Sequence, residues 1–329
     1  MRVIVTGARG QVGYELLRLA PQGFQVIGLG SDELDITNGE QVASLLTRLR
    51  PGLIINAAAY TAVDKAESEV ERAYAVNRDG VANLAIAAEQ LKIPLLHIST
   101  DYVFDGDASA PYLETDPTAP SGVYGASKRD GETALAAHCN RHIVLRTSWV
   151  FGAHGNNFVK TMLRLGRERE SLGVVADQHG CPTSARSIAS ALWALAEKYK
   201  AAGSLDWGIY HFSNQPACTW HEFALEIFRQ GADAGLLGKV PVVHPITTAA
   251  YPTPAKRPAW SVLDISKIQR AGIAPADWQL ELKQVLKQLE QPVPDTKADT
   301  LERIAVADLD AALQAESLTG KAVRDCISD

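Results

Sequence analysis

Gly7-Ala8-Arg9-Gly10-Gln11-Val12-Gly13 stands between a short apolar run, residues 2–6, and a stretch in which Val12, Leu16, Leu17 and Leu19 recur near helical spacing. Glycines let a backbone turn tightly and come close to a ligand, and the unpaired N–H groups of the helix that follows attract an anion such as a pyrophosphate. Phe24–Leu29 forms a second apolar run, so the opening reads as a βαβ unit. The alternation continues with strands predicted at Leu53–Asn56, Leu95–Ser99 and Ile143–Arg146, and an alanine-rich helix over Val70–Gln90.

Short strands separated by helices imply a parallel sheet covered on both faces. The predicted class is therefore α/β, a Rossmann-type doubly wound parallel sheet with a smaller α/β substrate-binding region. Right-handed crossovers gather ligands at the carboxyl ends of such strands, where Gly7, Asn56, Thr100 and Thr147 fall. After Trp149 the simple alternation gives way to Gly- and Asn-rich turns, a helix near Phe158–Arg169 and prolines at 252, 254 and 258. We therefore divide the chain into a dinucleotide-binding domain, 1–150, and a substrate-binding region, 151–292, with segments returning to the first domain. Residues 293–329 form an appended acidic tail, its last 35 residues carrying eight acidic and four basic side chains. Leu301, Ile304, Leu309 and Leu313 suit one face of a helix there, docked on its own body or on a partner.

Charge and hydropathy exclude several classes. With 32 basic against 38 acidic side chains the net charge is -6, which offers no grip on nucleic-acid phosphates. Apolar runs fall well short of the ~20 residues of a membrane span, and Met1 leads directly into Val3, Ile4 and Val5 without a leader pattern. Cys139, Cys181, Cys218 and Cys326 are far apart with no CxxC spacing, so neither zinc nor disulfides are expected. A cytoplasmic protein is the expectation.

The end of the second strand, Leu29-Gly30-Ser31, lacks the acidic residue that commonly holds an adenosine ribose. Arg9 can pair with a 2'-phosphate or stand in solvent; Asp32 and Glu33 lie nearby. NADPH is the predicted cofactor, with NADH tolerated. Asp35-Ile36 suggests a short third strand whose carboxylate meets adenine, or an ordinary turn.

Tyr124 and Lys128 share one face of a predicted helix. A nearby ammonium would lower the phenol from its usual value near ~10 and suit it to proton transfer at neutral pH. Thr100, in His97-Ile98-Ser99-Thr100-Asp101-Tyr102, places a hydroxyl at the carboxyl end of a buried strand, where it can donate to a substrate carbonyl. A hydroxyl, a phenol and an amine behind a cofactor turn suit hydride transfer to a ketone.

These features, with Asn56–Asp64, Ser99–Phe104, Arg146–Val150, Gly155-Asn156-Asn157-Phe158 and Tyr251-Pro252-Thr253-Pro254, resemble the extended short-chain dehydrogenase/reductases, and among them the dTDP-4-dehydrorhamnose reductase family, over residues 1–290. The resemblance implies hydride transfer to C4 of dTDP-4-dehydro-L-rhamnose, with Tyr124 protonating the alkoxide, Thr100 polarising the carbonyl and Lys128 tuning Tyr124. It implies a dinucleotide held by Gly7, Arg9, Gly10, Gln11, Val12, Gly13, Asp35, Ile36, Ala57, Ala58 and Ala59, with Tyr124 and Lys128. It also implies a nucleotide-sugar held by Thr100, Asp101, Trp149, Asn157 and Arg257, with Lys256 beside the last. Asn77 matches the asparagine that steadies a water near the lysine. A homodimer is compatible with the resemblance. Some relatives pair through a carboxylate-bound magnesium, but Arg186 stands where they carry an acid, so no metal is expected although Glu15 persists. A dehydratase or epimerase on the same scaffold is the alternative enzyme, and Tyr102 in place of a second acid disfavours elimination. A non-catalytic cofactor-binding subunit is the other alternative.

Overall fold

Val3, Ile4, Val5, Leu53, Ile54 and Ile55 are all fully buried, which a strand achieves only in a sheet with helices on both faces. The computed structural model describes residues 1–290. In chain order, β1 (Arg2–Thr6), α1 (Gln11–Arg18), β2 (Gln25–Leu29), α2 (Gly39–Leu49) and β3 (Leu53–Asn56) lead through short helices α3 (Val63–Ala66) and α4 (Val70–Tyr74). A π-helical turn, Ala75–Asp79, runs into α5 (Gly80–Leu91), and β4 (Leu95–Thr100), α6 (Val123–His138) and β5 (His142–Thr147) follow. Next come β6 (Val150–Phe151), α7 (Phe158–Glu168), β7 (Ser171–Val175), β8 (His179–Gly180), β9 (Thr183–Ser184), α8 (Ala185–Ala202) and β10 (Gly208–His211). The described chain ends with β11 (Cys218–Thr219), α9 (Trp220–Asp233), β12 (Val242–Ile246), α10 (Ser266–Arg270) and α11 (Trp278–Glu290).

The main sheet has six parallel strands in the order β10-β5-β4-β3-β1-β2. The chain leaves β1 for β2 on one side and returns to β3 on the other, so the switch point lies at β1. Because side chains alternate along a strand, Val3, Val5, Leu53 and Ile55 face one side, where they pack with Leu16 of α1 and Ile188, Leu192 and Trp193 of α8. The Trp193 indole N–H donates to the Leu16 carbonyl at 3.0 Å, so this buried polar atom is paired. On the opposite side α2, α5 and α6 pack side by side.

A second core lies under α7, α9 and α11, where Phe151, Met162, Leu172, Phe223, Phe228 and Trp278 cluster against the pair β7–β12. Both α8 and β10 belong to the first core although they follow residue 150 in the chain. The tail reading falls on residues 293–329, outside the described residues.

Two local expectations differ from the structure. The helix expected over Val70–Gln90 is present as a continuous helical run to Leu91, but with a π turn inside it, whose extra residue rotates Asn77 inward to complete burial. Asn77 there accepts from Tyr60 N at 2.9 Å and donates to Tyr60 O and Ser127 Oγ, both at 3.0 Å. The main chain of α6 comes so close that a Cβ on Gly131 would lie 2.0 Å from the Asn77 carbonyl oxygen. Second, Asp35-Ile36 forms no strand. The Asp35 carboxylate accepts from Thr37 N at 2.9 Å and Thr37 Oγ1 at 2.8 Å, closing an Asx turn, while Ile36 packs inward toward Gly80.

Candidate active site

The glycine turn follows β1 and opens α1. Gly7 has a φ of +66°, and a Cβ on it would lie 2.5 Å from Ala58 N; a Cβ on Gly13 would lie 2.1 Å from the Gly7 carbonyl oxygen. Only glycine at these two positions lets turn, β3 loop and helix meet. Gly10 is the N-cap of α1 and supplies no side-chain cap, so no side chain claims the helix's first N–H groups. The loop after β6 secures this turn: His154 Nε2 lies 3.0 Å from Arg9 O, and its ring stacks on Tyr14 at 4.3 Å.

Beyond the turn lies a cavity of about 600 Å³ at the carboxyl ends of β1, β3, β4 and β5. Its wall includes Arg9, Gly10, Gln11, Val12, Ala57 and Ala59 at one end, and Thr100, Asp101, Tyr124, Lys128 and Trp149 at the other. Gly7, Gly13 and Ala58 shape the turn behind that wall. Two buried polar atoms around the cavity, Ser99 Oγ and Thr147 Oγ1, have no hydrogen-bond partner among the described residues, while the Asp101 carboxylate has Ser261 as a neighbour. Buried polar atoms are rarely left so, and these are suited to a polar ligand.

Thr100 Oγ1 donates to Asp101 Oδ1 at 2.9 Å and accepts from Tyr102 N at 3.2 Å. Asp101 and Tyr124 both lie beside this hydroxyl and compete for its one proton, which must leave Asp101 to polarise a carbonyl. Burial raises the Asp101 carboxyl to about 6, so a modest fall in pH protonates it and frees the Thr100 proton.

Tyr124 and Lys128 both line the cavity, but the expected electrostatic bias between them has no counterpart in this arrangement. Burial pushes the Tyr124 phenol up to about 12; a hydrogen bond with Thr100 acts against this and the Asp101 charge adds to it. The amine lies elsewhere: Lys128 Nζ donates to Ile98 O at 2.7 Å and sits 3.3 Å from His97 Nε2. Burial lowers Lys128 to about 8, with Glu132 acting the other way.

Other residues singled out from sequence occupy supporting positions. Arg9 faces the cavity with its guanidinium paired to Asp32 and Glu33, each at 2.6 Å, while Glu33 also accepts from Gly30 N at 2.8 Å. Asn157 caps α7, accepting from Lys160 N, and donates to Gln11 Oε1 at 2.9 Å and Gly152 O at 2.7 Å, so it aligns the glycine turn rather than forming the wall. Arg257 is paired with Asp64 at 2.7 Å, and Lys256 is exposed. Asp35 and Ile36 lie off the wall. Glu15 pairs with Arg18 at 2.6 Å, and among the described residues no cluster of His, Cys, Asp or Glu has the makings of a metal site.

The wall also contains Trp220, which was not anticipated. Trp220 stacks on Trp149 at 3.6 Å, and Phe158 packs against Trp220 at 4.7 Å. Trp149 is held at a φ of +48°, a left-handed conformation uncommon for a bulky residue, with its ring against Gly180. The signal for Trp220 was available: Thr219-Trp220-His221-Glu222 is a capping box, which places Trp220 at the first turn of α9. His97, quoted in sequence only as part of a strand, proves to be the neighbour of Lys128.

A family profile described as "RmlD substrate binding domain" matches residues 1–291. A dTDP-4-dehydrorhamnose reductase of Aggregatibacter actinomycetemcomitans is 51% identical over 287 residues, covering 86% of this chain and 98% of that protein. A crystal structure of a dTDP-4-dehydrorhamnose reductase from Clostridium acetobutylicum superposes with a TM-score of 0.82 at 37% identity, covering 88% of this chain and 100% of that one. One from Bacillus anthracis, in complex with NADP, gives a TM-score of 0.80 at 39% identity, covering 87% and 99%.

Proposed function

The chain belongs to the RmlD substrate-binding family, that of the dTDP-4-dehydrorhamnose reductases, and on that premise we propose that it uses NADPH to reduce the C4 ketone of dTDP-4-dehydro-L-rhamnose to dTDP-L-rhamnose. The observation that carries the reading is one cavity that joins the uncapped turn at Gly10–Val12 to Thr100, Tyr124 and Lys128. The residues present fit a dinucleotide. The first N–H groups of α1 would hold its pyrophosphate, and Ala57 and Ala59 would admit it closely because they carry no bulk. Arg9 would turn from Asp32 and Glu33 to a 2'-phosphate, and Glu33 at Gly30 N is placed to accept from a ribose hydroxyl, which supports tolerance of NADH.

When bound, the nicotinamide supplies the hydride. Tyr124, neutral because its site disfavours the phenolate, donates its proton to the alkoxide oxygen as that charge develops. Thr100, between Asp101 and Tyr124, orients the same oxygen. The stacked pair Trp149–Trp220 closes the cavity on the side of α9 and gives the sugar an apolar face. Residues 1–150 would thus hold the cofactor and 151–292 shape the sugar site. The reading places the reaction in the cytoplasm, with a second copy of the chain as a compatible partner and neither nucleic acid nor membrane engaged. No helix among the described residues is long and apolar enough to cross a membrane.

The test is to mix the purified chain with NADPH and enzymatically generated dTDP-4-dehydro-L-rhamnose and follow nicotinamide absorbance. Consumption is expected. None, where a known reductase consumes the cofactor in the same mixture, rejects the reading.

A further inference from the structure

Behind the cavity, four side chains form a buried hydrogen-bonded row. Thr6 Oγ1 donates to Asn56 Oδ1 at 2.6 Å, Asn56 Nδ2 lies 2.9 Å from His97 Nδ1, and His97 Nε2 lies 3.3 Å from Lys128 Nζ. Asn56 and His97 are fully buried and Lys128 nearly so. The direction of the row follows from one backbone donor. Ala58 N–H, 3.0 Å from the Asn56 side chain, can only donate, so the atom facing it is the carbonyl oxygen and the amide NH₂ faces His97. An NH₂ group has no lone pair to offer, so His97 Nδ1 must be the bare, accepting nitrogen. The imidazole proton is then on Nε2, pointing at Lys128.

An ammonium cannot accept from that N–H; an uncharged amine can. We propose that Asn56 and His97 are positioning residues that act through Lys128: they fix an Nε2–H tautomer that retains the lysine as its neutral amine, docked between His97 and the Ile98 carbonyl, and release it toward the cavity when it takes up a proton. Complete burial works against a charged imidazole, as does the charge Lys128 carries whenever it is protonated, and both support the neutral histidine. The other ionisable groups around the pair do not supply the missing acceptor. Glu132, on α6 with Lys128, is engaged by Arg146 at 2.6 Å. His142, at the start of β5, acts on His97, and Tyr124 and Asp101 lie on the cavity side. The inference deepens the reductase reading, because a lysine titrating at this point sets the pH at which a cation stands near Tyr124 during proton transfer.

Heteronuclear nitrogen NMR of histidine- and lysine-labelled protein tests it without substrate. The wild type should show His97 protonated on Nε2. Asn56→Asp offers a carboxylate oxygen to Nδ1, which moves the histidine proton there and leaves Nε2 as an acceptor; His97→Gln, free of added charge, can turn an amide oxygen to Lys128. In both, the Lys128 titration should move up by about one pH unit or more, and the alkaline limb of kcat/KM with it. Unfolding of either variant leaves the wild-type measurement intact. An Nδ1–H tautomer in the wild type overturns the proposal, as does a Lys128 titration unmoved in folded variants. Absence of NADPH consumption would instead remove the reductase reading and leave the tautomer result standing.

Discussion

The ionisation of Tyr124 offers the sharpest test of the site's electrostatics. A tyrosine tuned by an adjacent ammonium would ionise near neutral pH and lose its value as a proton donor as pH rises. The structure gives the reverse: burial raises the phenol from 10.0 to about 12, while Lys128 is turned to Ile98 and His97. At about 1.4 kcal/mol per tenfold, that rise is about 3 kcal/mol against the phenolate. At pH 8 about one Tyr124 in ten thousand would be ionised, so the acid is fully loaded throughout the physiological range. Difference spectroscopy of the cofactor-free wild type against Tyr124→Phe should therefore show no phenolate from this residue below about pH 10. The variant should retain dinucleotide binding and lose about 10²–10⁴-fold in kcat, the range for removing a positioned acid. A phenolate signal that appears near pH 7–8 and disappears in Tyr124→Phe would refute the reasoning, and a kcat loss under tenfold would remove Tyr124 as the donor.

Lys128, lowered to about 8 from 10.5, binds fewer protons in the folded than in the unfolded chain between those values, so stability should rise with pH there by up to about 3 kcal/mol and be least below pH 8. Denaturant unfolding of wild type against Lys128→Met, which should lack the slope, measures this. The Glu132–Arg146 pair is buried, with contacts from Arg146 Nε at 2.9 Å and Nη2 at 2.6 Å, so Glu132→Gln should cost about 3–5 kcal/mol in the same assay by stranding the guanidinium. Arg9→Ser should lower kcat/KM for NADPH about tenfold while sparing NADH, and Glu33→Gln should shift the ratio toward NADPH; equal changes with both cofactors would remove these residues from the selectivity. Gly13→Ala, whose Cβ would meet the Gly7 carbonyl at 2.1 Å, should weaken dinucleotide binding measured by fluorescence titration, leaving thermal unfolding of the sheet cooperative.

The parts of the fold legible in sequence are those written in local pattern. β1, β3, β4 and β5 are apolar runs because both faces are covered, and the glycine turn announces itself because only glycine fits its φ and its approach to Ala58. The π turn at 75–79 was hidden because its extra residue leaves the helical composition unchanged; what fixes it is Asn77 reaching Tyr60 and Ser127, a contact made across tertiary structure. Asp35-Ile36 misled for the opposite reason. A short apolar-flanked pair suits a strand or a turn equally, and Thr37 settles the matter through two hydrogen bonds to the Asp35 carboxylate.

At the site, membership was easier to read than state. Thr100, Tyr124 and Lys128 converge on one wall because a strand end and one helix face bring them there, and spacing alone encodes both. Their protonation depends on partners from other elements. Lys128 is four residues from Tyr124 along α6, yet its amine is claimed by β4, through a histidine whose tautomer is dictated by an asparagine on β3 and a backbone N–H just beyond it. A helical spacing rule counts the distance between two side chains and is silent about a third that competes for one of them. The same competition removes Arg9 into Asp32 and Glu33, and Arg257 into Asp64. On the proposed reading, a ligand that engages Arg9 would have to draw it from Asp32 and Glu33, and one that engages Lys128 would have to draw it from His97, so these partners would weigh on affinity as well as the residues that touch the ligand.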